Sequence, residues 1–354
     1  MRLAKRLATA CLCCLVVSRS VWLAADEIDR HSSKTPLRGT IISENSKEVA
    51  IKVTQGGKTE DVTIGLGDVI DIRYDGAAGL AIRTAAGLER AGQLEKAITA
   101  YEKVAGTAGN SGLVNQAATF GKTRSLAKLA IQDPKRLEDG IKSLEEFRTK
   151  NADSRFHFAL HELLGQLQLA KGNDAAAAQA FRELAAGPTN ELKMRAAIWD
   201  GRLLMKAGKL TEAQTKFDEV VSGKAVTATE KLRQQEALLA KGDCLVRSKK
   251  LDEAEQLFRK VIDETSPDEA ELQAATRVAL GDVLRDAGKA KEALMAYLQV
   301  DLLYSTEKAE HAKAVYHIAA IWAQLGRADF ASEAGEKLSR LYPESSWAKQ
   351  QVKP

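Results

Sequence analysis

Apolar and polar residues alternate along residues 36–76, which is the period of a β-strand with one buried face. The clearest run, KEVAIKVT, places Val49, Ile51 and Val53 on the same face. The Gly-Gly pair that follows this run is typical of a two-residue hairpin turn. Shorter runs flank it, as RGTIIS before and TEDVTIGLGDVIDIRY after. The pattern predicts a small antiparallel β-domain of four short strands over residues 36–76, which we expect to lean on the first helices after it.

From about residue 80 a helical pattern with a long-range repeat replaces the strand period. A turn residue is followed five residues later by Ala, nine later by an aromatic residue and twelve later by Val or Leu. The turn residues are Gly92, Gly172, Gly208, Lys249, Gly288 and Gly326. The aromatic residues are Tyr101, Phe181, Phe217, Phe258 and Tyr297, and the last unit has Gly335 in that place. The recurrence predicts a series of helical hairpins.

Small residues in each unit suggest how the two helices of a hairpin pack. Four units have a further glycine seven residues before the turn, at Gly165, Gly201, Gly242 and Gly281. The turn glycine ends the first helix in a left-handed conformation. Because the inner glycine and the alanine have almost no side chain, the helices can approach closely, and we expect the aromatic ring to fill the gap between neighbouring hairpins. Each hairpin then leaves an apolar face that the next one covers.

The spacing of the turns sets the number of units. The interval between Gly92 and Gly172 leaves room for one more hairpin, which we place at 112–150 with Gly121 in its first helix. Asp133 and Pro134 mark the start of its second helix, and Gly140 stands where Ala is expected. The prediction is therefore about seven hairpins over residues 80–345.

This arrangement resembles the tetratricopeptide repeat family. The fold class implied is mainly α: an α-solenoid of about seven hairpins, preceded by a small antiparallel β-domain that resembles an SH3-like or Sm-like module in its pattern. The segment RLYPESSWA, at 340–348, resembles the YP-x-S-x-x-A junctions of periplasmic members of the family. The last unit lacks its aromatic residue, as a capping repeat can.

Residues 1–25 have the layout of a secretory signal peptide, with the basic start MRLAKR followed by the apolar run LATACLCCLVV. The run is shorter than the roughly 20 apolar residues that span a bilayer. We expect an exported, periplasmic protein with no transmembrane span in the mature chain. The alternative is a lipoprotein signal, in which the acylated residue is Cys11, Cys13 or Cys14.

Charge and cysteine usage exclude some classes of protein. The chain has 52 Lys and Arg against 48 Asp and Glu, and residues 1–25 hold four of the basic residues and no acid. A mature chain with balanced charge argues against a nucleic-acid binder, whose affinity depends on neutralising phosphates. Cys244 is the one cysteine outside the predicted signal peptide, so no internal disulfide can form. We expect it to be a buried apolar residue; a reactive thiol is the alternative.

Motifs for catalysis or cofactor binding are not found in the sequence. There is no Gly-rich phosphate loop, nucleophile elbow or paired-cysteine zinc spacing. His157 and His161 lie on one helix face beside Glu162, and two such histidines can begin a zinc site. Since nothing nearby completes it, we expect ordinary packing there, with no cofactor and no enzymatic activity.

The candidate binding surface is the concave side of the solenoid, which the first helix of each hairpin lines. The register places these candidates on it: Arg195, Arg202, Lys206, Asp243, Arg247, Asp282 and Arg285. Such a run of basic groups could hold an acidic peptide tail; the alternative is that the charges are solvated and paired with neighbouring acids. The family's known carboxylate clamp uses Lys and Asn, and no Asn occupies the matching places of the units between residues 194 and 290.

These observations favour an exported, non-enzymatic scaffold of the bacterial cell envelope that binds another envelope protein or a peptide segment. The alternative is a structural subunit that self-associates into a homo-oligomer. An enzyme or metal-dependent activity around His157 and His161 is the weakest hypothesis.

Overall fold

The structure is a computed structural model that describes residues 25–107, 109–343 and 345–350. The predicted signal peptide lies outside these ranges except for its last residue. The three cysteines of the lipoprotein alternative lie outside them as well.

The predicted antiparallel β-domain is confirmed, with five strands where four were expected. The strands are β1 (Asp26–Arg30), β2 (Ser33–Glu44), β3 (Glu48–Gln55), β4 (Lys58–Gly65) and β5 (Val69–Arg73). Their order in the sheet is β4-β3-β2-β1-β5, and all neighbours are antiparallel. The last strand therefore returns to pair with the first.

The additional strand is β1, and the sheet begins before the predicted boundary at residue 36. Its sequence, DEIDR, has one apolar residue among four charged ones, so it shows no alternation. The apolar residue, Ile28, is fully buried. Arg73 of β5 forms ion pairs with Glu27 and Asp29, which makes these charges compatible with a sheet position.

The rest of the described chain forms fourteen α-helices in seven consecutive hairpins, which confirms the predicted solenoid. The first five helices are α1 (Gly76–Arg90), α2 (Leu94–Ala105), α3 (Gly112–Gln132), α4 (Leu137–Lys150) and α5 (His157–Lys171). The next five are α6 (Asp174–Ala185), α7 (Asn190–Lys206), α8 (Leu210–Ser222), α9 (Ala228–Arg247) and α10 (Leu251–Glu264). The last four are α11 (Ala270–Asp286), α12 (Ala290–Leu303), α13 (Lys308–Gln324) and α14 (Ala328–Leu341).

In four hairpins, the aromatic ring of the second helix lies directly on the glycine of the first helix. The pairs are Gly165–Phe181, Gly201–Phe217, Gly242–Phe258 and Gly281–Tyr297. A Cβ added at these glycines would meet a ring carbon at 2.1–2.6 Å, far inside van der Waals contact. The ring therefore fills the inside of its own hairpin, not only the gap to the next one as expected. Phe181 also reaches the next hairpin, where its ring stacks on Trp199 at 5.1 Å.

The first two hairpins of the array also have a close contact at a glycine, but at different positions. Hairpin one has Ala85 where the inner glycine stands elsewhere, and Tyr101 lies on Gly121 of hairpin two instead. In hairpin two, the close approach is made by Gly140 of the second helix, against Ala130 of the first. This is the unit predicted at 112–150, and its helices are α3 and α4.

The β-domain is held against the edge of the array by polar contacts as well as apolar ones. Arg155, in the loop between α4 and α5, forms an ion pair with the buried Glu44 of β2 at 2.6 Å. The Tyr74 hydroxyl donates to the same carboxylate at 2.6 Å, and burial raises the pKa of Tyr74. Ser46 donates to Asp153 at 2.6 Å, and Phe156 packs on the apolar core of the sheet. The domain is thus fixed to the loop between the second and third hairpins, and its apolar core continues into the first two hairpins, as expected.

The two ends of the array also meet. Lys308, the first residue of α13, donates from its Nζ to the carbonyl oxygen of Gly92, in the turn of hairpin one, at 3.2 Å. The superhelix therefore curls far enough for its seventh hairpin to contact its first.

Left-handed backbone conformations occur at the predicted turns. Gly92, Gly172, Gly208, Gly288 and Gly326 have φ between 67° and 88°. The turn of hairpin five has Lys249 in that place, with φ 62°, and it is the one non-glycine residue with positive φ in the described chain. A side chain in this conformation costs roughly 1–2 kcal/mol relative to glycine.

The ring-on-glycine contact predicts a specific cost for an alanine at Gly242. Although alanine raises helix propensity by about 1 kcal/mol, its Cβ would overlap the Phe258 ring, so we expect Gly242→Ala to lower the free energy of unfolding by about 1–2 kcal/mol. Urea denaturation measures the change. Gly335→Ala is the control, since no atom lies within 4 Å of its added Cβ, and it should raise stability by about 0.5–1 kcal/mol. Equal effects at both sites would contradict the steric explanation.

The strained turn at Lys249 predicts a stabilising substitution. Lys249→Gly should raise the free energy of unfolding by about 1 kcal/mol, because glycine adopts the left-handed conformation without strain. The control is Lys250→Gly, where φ is −94° and no strain is relieved, so thermal unfolding should show no gain. A lower melting temperature for Lys249→Gly would argue against strain at this turn.

Candidate functional site

A groove runs along the concave side of the array and consists of two adjoining cavities of about 310 and 410 Å³. Both are lined mainly by first helices: α5, α7, α9 and α11 in the smaller one, and α9, α11 and α13 in the larger one. Leu239 and Ala275 line both cavities, so the two form one continuous surface, called here the concave groove.

The lining residues recur at fixed distances before the turn of each hairpin. Arg202, Asp243 and Asp282 stand six residues before their turns, and Arg195 and Lys313 stand thirteen residues before theirs. The two positions are seven residues apart, so they lie on the same face of a helix. Lys313 was not predicted, although its offset is that of Arg195 and could have indicated it.

The smaller cavity contains a network of ion pairs between neighbouring hairpins. Arg195 pairs with Glu162 of α5, which also accepts a hydrogen bond from the indole N–H of Trp199 at 3.0 Å. Arg233 of α9 pairs with Glu191 at 3.0 Å and with Glu236 at 2.5 Å. Burial and the nearby charge of Arg233 lower the pKa of Arg195 to about 10. Despite this lowering, Arg195 and Arg233 are each in direct contact with a carboxylate.

Arg202 differs from these neighbours because no described residue forms an ion pair with it. Its guanidinium lies over the Trp199 ring, 4.4 Å from the centroid. Burial lowers the pKa of Arg202, and the charges of Glu236 and Asp243 oppose this effect. This cation–π contact keeps the guanidinium beside the wall of the groove.

Two carboxylates in the larger cavity have contrasting surroundings. Asp282 accepts hydrogen bonds from the Tyr297 hydroxyl at 2.7 Å and from Lys313 at 2.5 Å. Asp243 has no hydrogen-bond or ion-pair partner among the described residues. Its side chain is open to the groove, yet protein lies on both sides of it, and this loss of solvation raises the pKa to about 6 despite nearby cations such as Arg202.

The other predicted residues lie near the helix ends and line neither cavity. Lys206 pairs with Asp174 at 2.5 Å, and Arg285 pairs with Asp286 at 2.8 Å. Arg247 donates to the carbonyl oxygen of Met205 at 3.3 Å. The structure thus brings together four of the seven predicted residues and places the remaining three beside the turns.

The C-terminal segment lies against the far end of the groove. The Trp347 ring is 5.2 Å from Tyr316 and 5.5 Å from His317, and Lys313 lies 5.9 Å from its centroid. Trp347 also lines the larger cavity, next to α13. This contact is not predictable from sequence, because the segment after α14 has no helical period to place it.

His157 and His161 are adjacent on α5, with ring centroids 4.6 Å apart. Among the described residues, no group of three His, Cys, Asp or Glu side chains is arranged to hold a metal ion. His161 is buried, and burial lowers the pKa of His161 to about 4. Cys244 is also buried, as predicted, and burial raises the pKa of its thiol to about 11.

Comparison with known proteins identifies the helical array. The tetratricopeptide repeat profile matches residues 135–191 and 200–270, which run from the second helix of hairpin two to the end of hairpin five with a gap in α7. The matched part of the helical array consists of tetratricopeptide repeats. A comparison with curated protein sequences finds no match. In the part of the chain that the structure describes, no helix has the length and apolarity needed to span a bilayer.

Several solved structures of tetratricopeptide proteins are similar in fold. PilF of Pseudomonas aeruginosa has 16% identity, with 65% of this chain and 96% of that chain covered and a TM-score of 0.40. A Rap protein complexed with competence and sporulation factor has 14% identity and a TM-score of 0.49, and the match covers 74% of this chain and 76% of that chain. A tetratricopeptide repeat protein of Parabacteroides merdae has 15% identity and a TM-score of 0.45, and the match covers 77% of this chain and 96% of that chain. Likeness at this level assigns no function to the chain.

The buried histidine His161 predicts a pH-dependent stability. In the unfolded chain its pKa returns to about 6.5, so below this pH the unfolded state binds a proton that the folded state does not. The contribution of neutral His161 is complete above about pH 6.5 and declines as the pH falls toward 4. We expect the free energy of unfolding to fall by about 1–2 kcal/mol from this residue between pH 7 and 5.

The measurement is urea denaturation at pH 8, 7 and 5 of the wild type and of His161→Gln. The variant should lose less stability than the wild type between pH 7 and 5, and the two should respond alike between pH 8 and 7. An unchanged pH dependence in the variant would show that burial does not lower the pKa of His161 in the folded protein.

Proposed function

We propose that the protein is an exported, non-enzymatic scaffold of the bacterial cell envelope, which holds another envelope protein or a peptide segment in its concave groove. Tetratricopeptide repeat proteins act in protein–protein interaction. The observation that carries the proposal is the continuous groove from α5 to α13, with side chains at repeated offsets facing one open surface. A surface of this kind can contact several residues of an extended partner at once.

The basic start and apolar run of residues 1–25 support export, as does the resemblance of the segment at 340–348 to periplasmic members of the family. Cys244 is buried and is the one cysteine outside that leader, so folding needs no disulfide in an oxidising compartment. The firmly docked β-domain extends the array at one edge and offers a second surface of fixed orientation.

A second candidate is a structural subunit that associates with copies of itself. The end of α12 exposes Leu302 and Leu303, of which 75% and 65% of the surface is accessible, and Met295 lies exposed on the same helix. Large apolar side chains exposed together are typical of contact surfaces. Sedimentation of the purified mature protein distinguishes the candidates, since a stable homo-oligomer favours the structural role.

The scaffold proposal predicts position-specific crosslinking in cells. A photo-crosslinking residue at Ala275, in the groove, should capture a partner polypeptide in the periplasmic fraction released by osmotic shock. The control is the same residue at Leu302, on α12, which should capture no such partner. Crosslinks at Leu302 to a second copy, with none at Ala275, would favour the structural subunit. Recovery of the protein in the cytosol alone would contradict export.

A further inference from the structure

We propose that the concave groove takes a cationic partner segment, that is, an extended stretch of polypeptide that carries lysine or arginine. This inference rests on the proposed function, because it names the chemistry of the partner that the groove holds. It reverses the expectation from sequence that basic groups on the concave face would hold an acidic tail.

The first observation is the sign of the charges that line the groove. Four carboxylates and three cations line the smaller cavity. Three carboxylates and one cation line the larger cavity. Both cavities are therefore negative when all groups are ionised, and the larger one is more so.

The second observation is which of these charged side chains already form ion pairs within the protein. Arg195, Arg233 and Lys313 each form an ion pair with a carboxylate of a neighbouring helix or of their own. Arg202 is the one lining cation without an ion pair to a described residue, and it lies over the Trp199 ring. An acidic segment would thus have to displace existing ion pairs in order to find a second cation.

The carboxylates show the opposite situation. Asp243, Glu271 and Glu310 line the groove on three successive first helices, and none of them forms an ion pair with a described residue. Lys313 lies near both Glu310 and Asp243, yet burial raises the pKa of each carboxyl, and neither carboxylate is in direct contact with a positive charge of a described residue. A lysine or arginine from a partner would supply that charge at each of the three helices.

The third observation is the shape and chemistry of the floor. Between the carboxylates, the groove is lined by Leu239, Ala275, Val278 and Ala279. Two of these are alanines, so the backbone of an extended segment can come close to the helices. Apolar floor and charged rim together match a segment in which basic residues alternate with apolar ones.

The fourth observation is the segment that already lies there. Residues 345–350 leave α14 and place Trp347 on the Tyr316 and His317 side chains at the end of the groove. The larger cavity thus accepts an apolar anchor, Trp347, from a non-helical segment of its own chain.

The test uses two labelled synthetic peptides of about ten residues, long enough in extended form to cross neighbouring helices. One repeats Gly-Lys-Leu and the other repeats Gly-Glu-Leu, and fluorescence anisotropy measures their binding to the mature protein. We expect the lysine peptide to bind at least about tenfold more tightly, with an affinity that falls as salt rises.

The groove variant combines Asp243→Asn, Glu271→Gln and Glu310→Gln and should weaken binding of the lysine peptide about tenfold. The matched control combines Glu95→Gln, Glu146→Gln and Glu333→Gln. It makes the same charge change at exposed positions of second helices and should bind as the wild type does. Circular dichroism checks that both variants are folded.

Equal binding of the two peptides, binding of neither, a preference for the acidic peptide, or an equal loss in the control variant would each overturn the inference. The outcome is separable from that of the scaffold proposal. If the Ala275 crosslink forms but lysine is not preferred, the groove is a binding site of another chemistry. If the crosslink does not form, the scaffold proposal fails and the inference fails with it.

Discussion

The contact between a glycine of one helix and an aromatic ring of the next sets the geometry of this molecule. In hairpins three to six the ring lies where a Cβ would otherwise be, so the two helix backbones approach within a fixed distance. Repetition of one interhelical distance gives one rotation per hairpin, and the summed rotations curve the first helices around a common groove. This contact fixes how each first helix is oriented toward the groove. Residues at the same offset from their turns, such as Arg202, Asp243 and Asp282, therefore face the groove in successive hairpins.

The array was predictable from sequence because its contacts restrict residue types at both ends. One position accepts only glycine and another needs a large aromatic ring, so these residue types recur in the sequence at fixed offsets. The unit at 112–150 follows the pattern less closely, but the interval between its neighbouring turns was enough to place it. Strand β1 was not predictable in this way. Its buried Ile28 is flanked by charges whose partners lie in β5, more than forty residues away in sequence, so the local pattern is that of a polar loop.

The charge of the groove was not predictable for a related reason. The helical register of the sequence shows which face of a helix a side chain lies on. Whether a cation on that face has an ion-pair partner depends on the residue that faces it from the neighbouring hairpin. Arg195 is matched by Glu162 and Lys313 by Asp282, each from a helix more than thirty residues away in sequence. Counting basic residues on the face therefore overstates the positive charge that a ligand meets. The lone carboxylates, such as Asp243, emerge only after the pairs are removed.

The contact between Lys308 and Gly92 has a consequence for how such a chain can change over generations. Solenoids ordinarily gain or lose units with little penalty, since each unit contacts only its neighbours. Here the seventh hairpin contacts the first, so duplicating or deleting one internal hairpin would move Lys308 away from that carbonyl and alter the width enclosed by the curl. A change in the number of repeats would therefore break a contact between the ends of the array, which an array whose ends do not meet does not have.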